Sequence, residues 1–244
     1  MSDRLLVASA TLLEVAPSLL RETGVSHQGV GVPGTLIQGS RCDFLITGVG
    51  QLLCGVHLTR TLATGRYSQV LQAGVGGSFD VSLGRGTVVV VDEEVLADLG
   101  AEDNGSFLDI FHMGLLKRDE APFGDGVLGS RVPQLLALKG LPRVRSVTVN
   151  RVLSEARSIE WVRAQYRPQV VNMEGAALFY SCLTAGIPFV SLRAISDMVG
   201  PRDKSSWDIP GAVFALDRVL EPLLCELNEG CTRNASVPGE ASTG

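Results

Sequence analysis

The feature that most constrains this chain is the alternation of short apolar runs with segments of helical period. Thr87–Val91 is β-branched at every position, which predicts a strand buried on both faces. Leu5–Ala10, Asp43–Val49, Gln69–Gly74, Val144–Asn150, Gln169–Asn172 and Pro188–Ser196 read as further strands. Helices are expected between and after them, over Thr11–Thr23, Leu52–Ala63, Ser158–Gln165, Glu174–Thr184 and Pro210–Leu227. Strands that alternate with helices imply parallel neighbours joined by helical crossovers. The expected fold class is therefore α/β: a single three-layer α/β/α domain with a central mixed, largely parallel sheet. Residues 102–142 are rich in turn signals and carry no sustained period. The domain is expected to span 1–228. Residues 229–244, polar and rich in Gly, Pro and Ser, are expected to form a disordered C-terminal tail.

Composition narrows the partners. The net charge is −5 and there is no cluster of Lys and Arg, so a nucleic-acid partner is not expected. No apolar run approaches the ~20 residues of a membrane span. The five cysteines form no C-x-x-C and there are only three histidines, so no metal site is expected. An odd cysteine count without a secretory signal points to reduced thiols and a cytoplasmic location.

Acidic residues at strand ends carry the chemistry. Ligands of open α/β sheets sit outside the carboxyl ends of the strands. Glu174 follows one predicted strand, Asp197 another, and Glu14 the first. A right-handed crossover from the Gln169–Asn172 strand to the Pro188–Ser196 strand would place Glu174 and Asp197 on one edge. Three carboxylates there suit cleavage of a ribosyl C–N bond: one protonates the leaving base, one activates water, one holds the sugar. Each has another reading. Thr11-x-x-Glu14 is a capping box, Glu174 is a first-turn helix acid, and Asp197 is a turn residue. Gly48-Val49-Gly50 and Gly74-Val75-Gly76-Gly77 follow strands but match no dinucleotide or P-loop pattern. Tight turns are the preferred reading, and no cofactor is expected. His57 and His112 have no nucleophile pattern beside them.

Taken in order, P-Q-V-V-N-M-E-G-A-A-L-F-Y-S-C-L-T-A-G-I-P-F-V-S-L-R-A-I-S-D (168–197) resembles the C-terminal signature of the nucleoside phosphorylase/nucleosidase superfamily. A-S-A-T-L-L-E (8–14), I-T-G-V-G (46–50) and Q-A-G-V-G-G (72–77) stand where that family has strand ends, so the resemblance covers about residues 4–227. Phosphorylases of the family carry a glycine-rich phosphate loop after the first strand. The hydrolases related to methylthioadenosine/S-adenosylhomocysteine nucleosidase carry a Glu, as Glu14 here. S-D-M-V-G-P-R-D-K-S-S-W-D-I (196–209) and V-T-V-N-R-V-L-S (147–154) are similar to the futalosine hydrolase branch, which serves menaquinone biosynthesis.

The resemblance implies hydrolysis of futalosine to hypoxanthine and dehypoxanthinyl futalosine. It implies Asp197 as general acid at purine N7 and Glu14 as the residue that orients water. Glu174 would bind ribose hydroxyls, Met173 would pack on the sugar, and Arg193 would position Glu14 and the water. Asn172, Gly74, Val75 and Ser196 fall among the expected substrate contacts. Arg202 is a candidate for the benzoate of the 5′ chain, since a guanidinium matches a carboxylate bidentately. Val75 replaces the Ser of the G-S-A-G-G loop of adenine-nucleoside hydrolases. The base-stacking aromatic is open among Phe79, Phe107 and Phe123. The alternatives are methylthioadenosine/S-adenosylhomocysteine nucleosidase, a phosphorolytic enzyme, and a nucleoside-binding protein without catalysis. A homo-oligomer, dimer or tetramer, is implied.

Overall fold

The computed structural model describes residues 4–26, 28–29, 31–104, 106–201 and 203–234; for Lys204 and residues 229–234 only the backbone is described. The first strand, β1 (Arg4–Ser9), is buried from Leu5 onward. It lies parallel between β3 (Cys42–Ile46) and β4 (Tyr67–Ser78), and β2 (Thr35–Gln38) adds antiparallel to β3. On the other side of β4 comes β11 (Phe189–Met198), again parallel. Direction then reverses. The strand β5 (Val88–Leu96) is antiparallel to β11, and β9 (Arg143–Thr148) and β10 (Val170–Asn172) follow parallel to β5.

A last pairing changes the architecture. Val170 and Val171 of β10 pair antiparallel with Ser78 and Gly77, at the end of β4. The order β4–β11–β5–β9–β10 therefore returns to β4. A mixed α/β sheet is present as expected, but its core is a closed ring and the molecule is not a simple three-layer sandwich. The physical reason lies in β4. It was expected to stop at Gly74, yet it runs twelve residues. Its second half extends past β1, whose pairing ends at Gln72, and gives β10 an edge to join.

The helices cover both faces. They are α1 (Ala16–Thr23), α2 (Gln51–Leu62), α3 (Ala156–Tyr166), α4 (Gly175–Ala185) and α5 (Ile209–Asn234). The expected first helix is split, because a 3-10 turn over Leu12–Val15 precedes α1. One core cluster joins Leu5, Phe44, Leu192 and Leu216 on the α5 side of the sheet. A second joins Leu6, Leu58, Val89 and Phe179 under α2 and α4. In and just before 102–142 the chain adds an antiparallel pair, β6 (Gly100–Asp103) with β7 (Ser106–Asp109), and a short β8 (Leu128–Gly129) on β5. The closing helix continues past residue 228 to Asn234, and residues 235–244, where most of the expected tail falls, lie outside the described residues. Among the described residues no helix is long and apolar enough to cross a membrane.

Candidate active site

Strand reversal, rather than a simple crossover, brings the carboxylates together. Because β10 runs back along the end of β4, its last residues point toward the middle of that strand. Glu174 follows directly, as the residue preceding α4. Asp197 sits where β11 bulges against β4, opposite Gly77. Glu14 lies in the 3-10 turn after β1. The three surround one cavity of about 300 Å³, within the range of small-ligand pockets.

Glu14 is 7% exposed, and its two oxygens do different work. Oε2 accepts from Ser9 Oγ (3.0 Å), the Thr11 N–H (2.8 Å) and Thr11 Oγ1 (2.9 Å). Oε1 accepts the Val75 N–H at 3.1 Å. The capping geometry and a position on the cavity wall are therefore both present in one side chain. Gly74 makes this possible. A Cβ there would lie 3.2 Å from Glu14 Oε1 and 3.3 Å from Arg193 Nη1, so both groups converge over a bare backbone. Arg193 is 1% exposed. It donates from Nη2 to Gln72 Oε1 (2.6 Å) and from Nη1 to the Leu192 carbonyl (3.0 Å), and its Nε is buried without a partner.

Glu174 accepts the Gly50 N–H on Oε1 at 2.8 Å. Burial pushes its carboxyl up from the ordinary range, against the pull of the Arg193 charge. Asp197 is half-buried, and burial raises its carboxyl too, while a 2.7 Å hydrogen bond from Ser196 Oγ to Oδ1 opposes the rise. Its Oδ2 faces Gly77, where a Cβ would come within 3.2 Å. Gly74 to Gly77 were read as a turn. They belong to β4, and the missing side chains of Gly74 and Gly77 make room for Glu14 and Asp197.

Asn172, Met173, Val75 and Ser196 also line the cavity, while Gly74 and Arg193 stand just behind it. Arg202 lies outside the described residues. None of Phe79, Phe107 and Phe123 reaches the cavity wall. Phe79 and Phe123 are core residues, and Phe107 packs edge-on against Trp161. The aromatic that lines the cavity is Trp207, beside Val152 and Leu153. The W-x-I of 207–209 was the signal for it. Sequence reasoning also missed Glu94, which is wholly buried beneath Asn172. Glu94 looks like an ordinary strand acid in D-E-E (92–94), where nothing local marks it. Among the described residues no lysine or arginine lines the cavity, and no cluster of His, Cys, Asp and Glu could hold a metal ion.

Residues 9–221 match the family described as Phosphorylase superfamily. A futalosine hydrolase of Acidothermus cellulolyticus is 32% identical over 184 residues, 74% of this chain and 74% of that one. A futalosine hydrolase of Thermus thermophilus is 32% identical over 197 residues, 78% of this chain and 84% of that one. The structure of a 5′-methylthioadenosine/S-adenosylhomocysteine nucleosidase from Colwellia psychrerythraea with adenine superposes with a TM-score of 0.75. It is 22% identical and covers 93% of this chain and 96% of that one.

Proposed function

Since the chain belongs to the phosphorylase superfamily and, within it, to the futalosine hydrolases, N-glycosyl hydrolases by name, we propose that it hydrolyses the N-glycosidic bond of futalosine, releasing hypoxanthine. The observation that carries this reading is the convergence of Glu14, Glu174 and Asp197 on one cavity whose described lining holds no cation. A phosphorolytic site must hold a phosphate dianion next to the sugar. A buried carboxylate at that place repels one.

The roles follow from the surroundings of each carboxylate. Glu14 Oε2 is occupied by three donors, so Oε1 is the oxygen available to a water. The Arg193 guanidinium, behind the cavity wall near the same point, positions Glu14 and through it that water. Attack at the anomeric carbon breaks its bond to the base nitrogen, and the water proton passes to Glu14. Asp197 has its carboxyl raised by burial, which favours the protonated form an acid needs. It donates its proton to purine N7, so the electron pair of the broken bond leaves on a neutral base. Glu174 binds the ribose hydroxyls with Met173 against the sugar. Val75, Gly76 and Gly77 present backbone to the ligand, and Trp207 offers an aromatic face to the base or the 5′ chain. Arg202 remains the candidate for the benzoate carboxylate.

Chromatography of the protein with futalosine, methylthioadenosine and inosine in phosphate-free buffer tests the reading. Hypoxanthine from futalosine alone is expected. Adenine from methylthioadenosine would move the chain to the second nucleosidase activity. Turnover only with added phosphate would overturn hydrolysis. Glu14→Gln is expected to cut kcat at least 100-fold, the usual scale for losing a positioned base.

A further inference from the structure

Beneath the cavity lies a carboxylate that the proposed chemistry does not use. Glu94 is 0% exposed, in the middle of β5. Its Oε1 accepts from Thr148 Oγ1 at 2.8 Å, and its Oε2 accepts from Asn172 Nδ2 at 3.0 Å. Asn172 Nδ2 also donates to Ser146 Oγ at 2.8 Å. With the amide nitrogen engaged on this side, Asn172 Oδ1 must face the other way. There it accepts the backbone N–H groups of Glu174 (2.9 Å) and Gly175 (2.5 Å). Thr148 Oγ1 in turn accepts the Ala176 N–H at 2.8 Å. Glu94 thus orients two side chains that together hold three successive N–H groups at the start of α4. Those N–H groups would otherwise be orphans of the helix terminus.

The chain is built around this contact. A Cβ at position 175 would overlap Glu94 Oε2, so Glu94 requires glycine immediately after Glu174. Burying a carboxylate costs several kcal/mol unless its lone pairs are satisfied. An apolar residue would fill the same space between strands without that cost. The direction of the hydrogen bonds is what only an acceptor at position 94 supplies.

We propose that Glu94 is a positioning residue for nucleoside recognition: through Asn172 it fixes the start of α4 and so aims Glu174 at the sugar hydroxyls. The proposal rests on the reading of Glu174 as the sugar-binding carboxylate. It separates Glu94 from a plain core residue by predicting selectivity, since an error in aiming Glu174 matters only when the ligand has the hydroxyl that Glu174 binds.

The test is calorimetric titration with formycin B, a C-nucleoside analogue of inosine that cannot be hydrolysed, and with its 2′-deoxy form. Glu94→Gln places an amide donor against the donors of Asn172 or Thr148. It is expected to weaken formycin B about tenfold and the 2′-deoxy form less than twofold. If Glu94→Gln fails to fold, Glu94→Asp, which keeps the charge and shortens the reach, must show the same selective loss. A preference for the ribonucleoside that survives substitution at Glu94, or an equal loss for both ligands, overturns the proposal alone. No preference in the unmodified protein overturns the sugar role of Glu174 together with the proposal.

Discussion

Asp197, the proposed general acid, shows how one neighbour tunes a carboxyl group. Burial raises its carboxyl, and the Ser196 hydroxyl works against that rise. An acid whose proton is needed loses activity as pH climbs through its pKa. Ser196→Ala removes the opposing hydrogen bond, so the alkaline limb of the kcat profile is expected to move upward. An unmoved or lowered limb would detach that limb from Asp197. Asp197→Asn keeps the shape and removes the proton, and kcat is expected to fall by 100-fold or more. Both are read from initial rates of base release across pH. At this scale much of the site was legible. Glu14, Glu174 and Asp197 each follow a recognisable apolar run. Trp207 was visible in its motif but carried no assigned role. Glu94 was hidden because its significance depends on Asn172, far away in sequence.

The elements explain the rest of what was missed. Periodicity placed the five α-helices and the seven strands that bury an apolar face, and it missed the short β2, β6, β7 and β8, whose patterns are weak. It did not show the ring closure, because that depends on the extra length of β4, and glycines normally argue against continuing a strand. Gly74 and Gly77 are retained there for the space they leave around Glu14, Arg193 and Asp197. Gly175, at the start of α4, is the clearest case. Gly175→Ala is expected to lower stability by about 1–3 kcal/mol, the scale of overpacking a tight interior. Gly65→Ala would add a Cβ that meets nothing, but its φ of +67° makes it a strained control rather than a neutral one. Denaturant midpoints give the comparison.

Within β5, burial pushes the Glu94 carboxyl up from 4.5 to about 7. The folded protein therefore holds this proton more tightly than the unfolded chain does. The contribution of the group to stability is fully present below pH 4.5 and is lost as pH rises toward 7. Across that window the loss is on the order of 3 kcal/mol. Glu94→Gln cannot titrate, so its stability is expected to fall less between pH 4.5 and 7 than that of the unmodified protein. Parallel slopes of denaturant-derived stability against pH would show that Glu94 titrates normally.

For the whole molecule, an apolar patch stands out on the outer surface beside the cavity. Leu52, Leu53 and Val56 of α2 are 77%, 38% and 45% exposed, and Val49 and Leu13 at the cavity wall are 51% and 47% exposed. The α2 residues recur at helical spacing, so they form one apolar face. Such a face in water favours burial against a second surface. We propose a second copy of the chain as the partner. Sedimentation is expected to show a dimer or larger assembly, and Leu52→Glu is expected to weaken it. If the neighbour helps to enclose the cavity, the same substitution raises KM. A monomer at micromolar concentration would contradict this reading.

The closed ring of strands also has a mechanical meaning. A hoop resists widening because every strand in it is laced to a neighbour on each side, and no edge can peel away first. The acidic cavity stands on that hoop, on strands β4, β10 and β11. Its floor is therefore built on strands that are paired on both sides. Change on binding a nucleoside is expected in lining residues that lie outside the ring strands, among them Val152, Leu153, Val199, Gly200 and Trp207. Amide protons of Val88–Val91 in β5, which line no part of the cavity, should exchange at the same slow rate with and without formycin B, while those of Val152, Leu153, Val199, Gly200 and Trp207 should slow when it binds.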